Sequence, residues 1–321
     1  MITIEISTMK LYFTLFSFLI IVNTLTAQKK CADNQATNYD TNSSCQYKKT
    51  KKRFKRTTKL DEQVNETSGL FVWNNGVWTI NDSGGEPALY KTSPETGKVT
   101  QIVSISNAVN IDWEELSHDD NHIYIGDMGN NRGYRKDLSI YTVKKSDINI
   151  SIDSQSVIAQ KLTFYYPEQK DFNHKKIHHF DCEGFFYYKN QFHLFTKNRD
   201  NAKTYHYTVP NEVGNHAAKL QDSLDVRGQI TAADIQDGHV VLLGYTPGKL
   251  FMWILWDYEG EDFFTGNRRR IELGRFFWRG QMEGICFTNA LNGYISAEGT
   301  PIKKQHLRRF SIEKWVRTNL K

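Results

Sequence analysis

The chain has 321 residues, with 41 Lys and Arg against 36 Asp and Glu, and a formal net charge of +5. Eight of the basic residues crowd into 48–59, and from Leu60 onward 30 basic residues face 33 acidic ones, a net of −3; so mildly acidic a body lacks the basic face that nucleic-acid binding needs, and no nucleic-acid partner is expected. With 39% hydrophobic and 24% charged residues the chain is of the globular rather than the disordered type.

Lys10 precedes an apolar run from Leu11 to Val22, and Ala27 stands just before Gln28. A basic residue, a dozen apolar ones and a small residue are the parts of a secretory signal peptide, here 1–27. The run is short for a spanning helix, which takes about 20 apolar residues, though an uncleaved anchor would look similar. The mature chain is therefore expected to be exported, to the periplasm, the cell surface or the medium. In the segment 28–47, Cys31 and Cys45 flank a polar loop and read as a disulfide. Cys182 and Cys286 lie in apolar surroundings and read as buried free thiols. The basic stretch 48–59 reads as a solvated tether leading into a closing strand, or else as a patch that docks on an anionic envelope surface.

From residue 60 to 321 one short pattern recurs about every fifty residues. It appears as Glu66-Thr-Ser-Gly-Leu70, Asp112-Trp-Glu-Glu-Leu116, Asp181-Cys-Glu-Gly-Phe185, Thr231-Ala-Ala-Asp-Ile235 and Gln281-Met-Glu-Gly-Ile285. Each copy is followed by a turn signal, such as Asn74-Asn-Gly76 or Asp237-Gly238, and then by a second apolar strand, a hairpin signature. A third strand follows every time and a fourth follows four times: Val99–Ile105, Val157–Tyr165, Lys219–Val226 and Arg269–Leu273. The fifth unit lacks its fourth strand, which Phe54–Leu60 can supply. Repeated four-stranded units with one unit shared between the termini predict an all-β fold, a β-propeller of five blades; six remain open if an insert hides a degenerate unit. A β-sandwich has no reason to repeat the same motif at the same place.

Innermost propeller strands line an axial channel, where Gly69, Gly184 and Gly284 suit close approach. Glu114, Glu183 and Glu283 occupy one position of the motif, with Ser68 and Ala233 at the equivalent positions of the other units. Strand alternation puts Glu66, Asp112 and Asp181 near them. Carboxylates gathered on one axis repel, and either cap backbone amides and pair with Lys and Arg, or hold a hard cation such as calcium. Loops after the second strands carry a second, rim set: Asp82, Asp127, Asn131, Arg135, Lys197 and Arg199. These mixed groups suit a glycan, a protein or a small anionic ligand, or serve as turns that lock adjacent blades.

Glu66-Thr-Ser-Gly-Leu70, Asn81-Asp-Ser-Gly-Gly85, Asn110-Ile-Asp-Trp-Glu114 and Tyr124-Ile-Gly-Asp-Met-Gly-Asn-Asn-Arg132 together resemble a family of secreted bacterial β-propellers. The Glu-Gly-apolar repeats are more distantly similar to calcium-dependent propellers that hydrolyse phosphate esters or lactones. That second resemblance implies a channel calcium held by Glu114, Glu183 and Glu283 and a rim active site; His178 and His179 are one candidate pair for the histidines such enzymes use. Two functions compete: a binding module that presents its rim to a glycan, protein or small ligand, and a calcium-dependent hydrolase with Asp127 or Glu115 as base. No phosphate loop, nucleophile elbow or dinucleotide fingerprint occurs, so no nucleotide or redox cofactor is expected. The chain is expected to be a monomer.

Overall fold

Short apolar runs separated by two-residue turns pair locally into sheets. The computed structural model describes residues 30–82, 84–275 and 280–316, and the expected signal peptide lies outside them. Among the described residues no helix is long and apolar enough to cross a membrane. Five mainly antiparallel sheets follow one another along the chain. Their innermost strands are Thr67–Trp73, Trp113–His118, Cys182–Tyr188, Gln229–Gln236 and Gly284–Asn289. Each packs beside the next, and the fifth returns to the first, so the ring closes as a five-bladed β-propeller. The turns behave as their residues require: Asn74 and Asn75, Lys189 and Asn190, and Asp237 and Gly238 all have positive φ, as two-residue hairpins demand.

Both faces of a blade are covered by its neighbours, so central strands need not alternate. Leu250 to Trp256 is buried at every position. The core is accordingly split into clusters between blades, one built on Phe71, Trp78 and Trp113 and another on Phe186, Phe195 and Phe263. Cys182 and Cys286 are buried free thiols within this core.

The termini meet in blade five. Arg56–Lys59 pairs antiparallel with His306–Ser311, the closing strand anticipated from the missing fourth strand. The basic stretch before it keeps its charged side chains exposed but is anchored to the body. Thr50–Lys51 pairs in parallel with Ile271 and Glu272 at the outer edge of blade four, and Phe54 is buried in the core. A chain starting at Leu60 should therefore expose the edge of His306–Ser311 and aggregate. Size-exclusion chromatography checks this; a monomeric peak with an unchanged melting temperature would show the closing strand to be dispensable.

One expected strand divides. Of the expected fourth strand of blade two, Val157–Tyr165, only Gln160–Tyr165 takes that place. Ser154–Val157 crosses to blade one and pairs in parallel with Ile102–Ile105. Asn215–Ala217 does the same service for blade two. These borrowed strands cover outer edges that would otherwise offer unpaired amides.

The small N-terminal segment is closed by the Cys31–Cys45 disulfide. It docks on blade four through Tyr47, whose ring lies 5.5 Å from Trp256 and 4.8 Å from the Arg269 guanidinium, and whose hydroxyl donates to Asp33 at 2.7 Å.

Candidate functional site: the acidic mouth of the channel

Four of the five innermost strands carry an irregularity where they face the axis. The unpaired residue is Gly69 in blade one, Glu114 in blade two, Glu183 in blade three and Thr231 in blade four. A bulge turns its extra residue out of the ladder. Thr231, rather than Ala233, thus holds the place of Glu114 and Glu183; its hydroxyl donates to the Met282 carbonyl at 2.8 Å. Gly69 has φ +58°, and a Cβ there would lie 2.5 Å from the Leu116 nitrogen, so glycine is required by both conformation and space.

Asp82 is set by its flanks. Its N–H donates to the Glu66 carbonyl at 3.0 Å, and the Asn110 side-chain amide donates to the Asn81 and Asp82 carbonyls at 3.0 and 3.2 Å. Asp112 donates its N–H to Asp127 at 3.1 Å and accepts from the Gly129 N–H at 3.1 Å. Gly129 makes the cluster possible: a Cβ there would sit 2.1 Å from Glu114 Oε1 and 2.4 Å from Asp112 Oδ2. The result is two adjoining carboxylate triads, Asp82, Asp112 and Glu114, and Glu114, Asp181 and Glu183. Within each triad one oxygen per residue lies within 4.8 Å of the others.

The two triads differ in their counter-charges. Glu183 pairs with the buried Lys197, whose ammonium lies 5.4 Å from the centre of the Tyr245 ring. Burial opposes that ammonium's charge, but Glu183 and Glu283 more than offset it and hold Lys197 protonated. Asp181 accepts from Arg199 at 3.0 Å and from the Asn130 N–H at 2.7 Å. Arg199 also donates to Asn131. By contrast, among the described residues no Lys or Arg comes within ion-pair distance of Asp112, Glu114, Glu283 or Glu298. Burial, with Asp82 and Asp181 nearby, pushes Asp112 up to about 7; burial raises Glu114 well above the carboxylate range. Burial likewise raises Glu283 and Glu298 to about 8 each. Two buried oxygens at the mouth, Glu183 Oε2 and Glu283 Oε1, have no hydrogen-bond partner among the described residues.

The other sequence candidates go elsewhere. Glu115 is fully buried below the mouth. Its Oε1 accepts from the Leu70 and Leu116 amides at 3.2 and 3.0 Å, and its Oε2 from the Ala233 amide at 3.1 Å. Asp234 joins blades four and five in the same way, accepting from Ile235 and Phe287 at 2.8 and 2.7 Å. Asp127 and Arg135 form a buried pair at 2.8 Å, and Arg135 also donates to the Gly129 carbonyl at 2.8 Å. That pair braces the loop carrying Gly129. Glu66 is exposed at the rim beside Glu298. The His178 Nδ1 accepts from the Phe180 amide at 3.1 Å and the His179 ring packs on Tyr205, so neither joins the carboxylates. Glu298, from the Ser296-Ala-Glu-Gly299 loop, adds to the mouth a carboxylate whose signal was its place after the second strand of blade five.

No protein-family model and no curated protein sequence matches the chain. Solved structures that it is similar to include a PQQ-bound aldose sugar dehydrogenase from Streptomyces coelicolor, at 10% identity and TM-score 0.47, covering 81% of this chain and 97% of that one. An exo-β-1,3-galactanase variant from Phanerochaete chrysosporium with β-1,3-galactotriose has 7% identity and TM-score 0.49, with 80% and 64% covered. A GH32 β-fructofuranosidase variant from Bombyx mori with sucrose has 9% identity and TM-score 0.45, with 81% and 63% covered. The chain thus spans less than two thirds of the galactanase and the fructofuranosidase.

Proposed function

We propose that the protein is an exported binding module whose channel mouth takes a divalent cation, calcium by its chemistry, and through it a glycan or small anionic ligand. The observation that carries this reading is the unequal neutralisation of the two triads. Lys197 and Arg199 serve Glu183 and Asp181, whereas among the described residues no Lys or Arg pairs with Asp112 or Glu114. Hard carboxylate oxygens spaced for a common centre, half-open to solvent on the Asp82 and Asp112 side, match the flexible oxygen coordination of calcium better than the strict octahedron of magnesium. The site residues would be Asp82, Asp112 and Glu114, with Asp181, Glu183 and Glu283 behind them. The bound ion would supply positive charge for ligand hydroxyls or carboxylates, and Asn131 and Arg199 border the approach.

A calcium-dependent hydrolase is the second reading, and the same cation would serve it. Its base is the difficulty. Glu115 is sealed by three amides and Asp127 is tied to Arg135, so neither is placed to take a proton from a water at the mouth. Elemental analysis of the purified protein, followed by glycan-array binding with and without EDTA, tests the proposal. Stoichiometric metal and EDTA-sensitive binding are expected. A protein without metal, or binding indifferent to EDTA, would overturn it, and turnover of a phosphate ester or lactone would favour the hydrolase.

A further inference from the structure

A second charged site lies away from the channel, at the outer rim between blades three and four. The outer strand of blade four, Asn267–Arg275, pairs Arg270 with Trp253 and Arg268 with Leu255. Alternation therefore sends Arg268 and Arg270 to one face and Arg269 to the other, where Arg269 meets Tyr47, Gln35 and Thr50. Arg268 and Arg270 face a cleft of about 830 Å³ that the 45–50 stretch roofs and the outer strand of blade three walls. Lys48, Lys49, Arg227 and Lys249 also line it.

The acidic residues lining the cleft do not neutralise these arginines. Glu272 is 3.7 Å from Lys49 and 3.5 Å from Lys249, and Asp225 accepts from the Arg227 amide at 3.0 Å. Among the described residues no carboxylate pairs with the guanidinium of Arg227, Arg268 or Arg270, and Arg270 Nε is buried without an acceptor. Aromatic rings hold the forks instead. Arg270 lies 4.1 Å from the Phe251 ring centre and Arg227 5.8 Å from that of Trp253. Arg227 keeps this position at φ +54°, a conformation costly for a side chain of its size. Two half-buried guanidinium groups, Arg268 and Arg270, with the exposed Arg227 beside them, facing one cleft of ligand size are unfavourable unless an anion completes them.

We propose that this cleft binds a small polyanion bearing phosphate or sulfate esters. Planar forks match tetrahedral oxyanions bidentately, and Arg268 and Arg270 would supply those bonds while the lysines add charge. The site is independent of the acidic mouth and of any metal there.

Calorimetric titration of the full-length mature protein in EDTA, at about 50 mM salt, with inositol hexasulfate and with inorganic triphosphate tests this. Saturable binding to at least one probe is expected, weakening with added salt. Arg268→Gln combined with Arg270→Gln should weaken it by about tenfold or more, and Glu114→Gln should leave it unchanged. Should the double variant melt differently from the parent, Arg270→Lys keeps the charge, removes the fork and should still weaken binding about threefold or more. A preference for triphosphate assigns phosphate esters, and the reverse assigns sulfate esters. Absence of binding to either probe, or equal affinity in the arginine variants, would overturn the proposal.

Discussion

Freed of divalent ions, the protein should lose stability as the pH rises from about 7.5 to about 8.5, and calcium should restore it. Glu283 and Glu298 are each raised to about 8 in the folded state from 4.5, and Asp112 to about 7 from 3.8. A raised carboxyl binds its proton more tightly when folded, so its stabilisation is complete below the unfolded value and disappears as pH climbs through the folded one. Below about 7.5 the buried histidines work the opposite way. His193, lowered to about 3, and His306, lowered to about 4, must be neutral to fold, so they gain as pH rises until the unfolded chain's histidines are themselves neutral, about one unit above their ordinary value of 6.5. The window above about 7.5 therefore isolates the carboxylates. Glu283 alone gives a slope of up to ~1.4 kcal/mol per pH unit, and Glu298 and Asp112, partly exposed and screened, add less. About 1 kcal/mol over the window is a fall of a few degrees in melting temperature. Calcium should reverse the trend, because its affinity grows as its ligands ionise; at about 100 times the dissociation constant it contributes ~2.7 kcal/mol. Glu114→Gln removes the oxygen donor common to both triads and should abolish most of that rescue. Differential scanning fluorimetry across pH, with EDTA or calcium, makes the measurement. Superimposable curves with and without calcium at every pH would sink the metal site.

Much of the architecture was legible because propeller repeats are a one-dimensional signal. Five copies of one motif, each followed by a hairpin turn, define five blades, and a missing strand in the last unit points to the N-terminal one. What was illegible depended on contacts between units. Val157–Tyr165 reads as one strand because nothing local marks the crossing at Ile158 and Ala159 that leaves Val157, with Ser154–Ser156 before it, on blade one. The basic stretch reads as solvated because its charges dominate its composition, yet Phe54 and the pairing of Thr50 and Lys51 anchor it. At the site, spacing located Glu114, Glu183, Asp112 and Asp181 near one axis, while bulges decided which residue in each motif leaves the ladder. Glu114 and Glu115 are neighbours in sequence and are indistinguishable there, yet one enters the mouth and the other turns down into the channel. Asp82 reads as a rim residue because it follows the second strand of blade one; only the packing of blade one on blade two places it within reach of Asp112 and Glu114.

That division between neighbours gives the largest stability effect expected from a single substitution. Glu115→Ala removes the one side chain whose two oxygens reach amides of blades one, two and four. Three buried N–H groups would lose their acceptor, at ~1–3 kcal/mol each, and the cavity left beside them adds to the loss. Several kcal/mol is a large part of the 5–15 kcal/mol typical of a folded domain. The melting temperature should drop by about 10 °C or more, and the protein should fail to fold if its margin is small. Glu115→Gln separates acceptor from volume. Its single carbonyl oxygen can serve either Leu70 and Leu116 or Ala233, while its amide donor faces an N–H on the other side, so it should destabilise less than alanine but clearly. Asp234→Ala, which frees only the Ile235 and Phe287 amides, should cost less than Glu115→Ala. Any variant in this series that folds should keep its response to calcium, because Glu115 holds blades rather than an ion. Loss of calcium binding in Glu115→Gln at an unaltered melting temperature would contradict that role and return Glu115 to the ligand set.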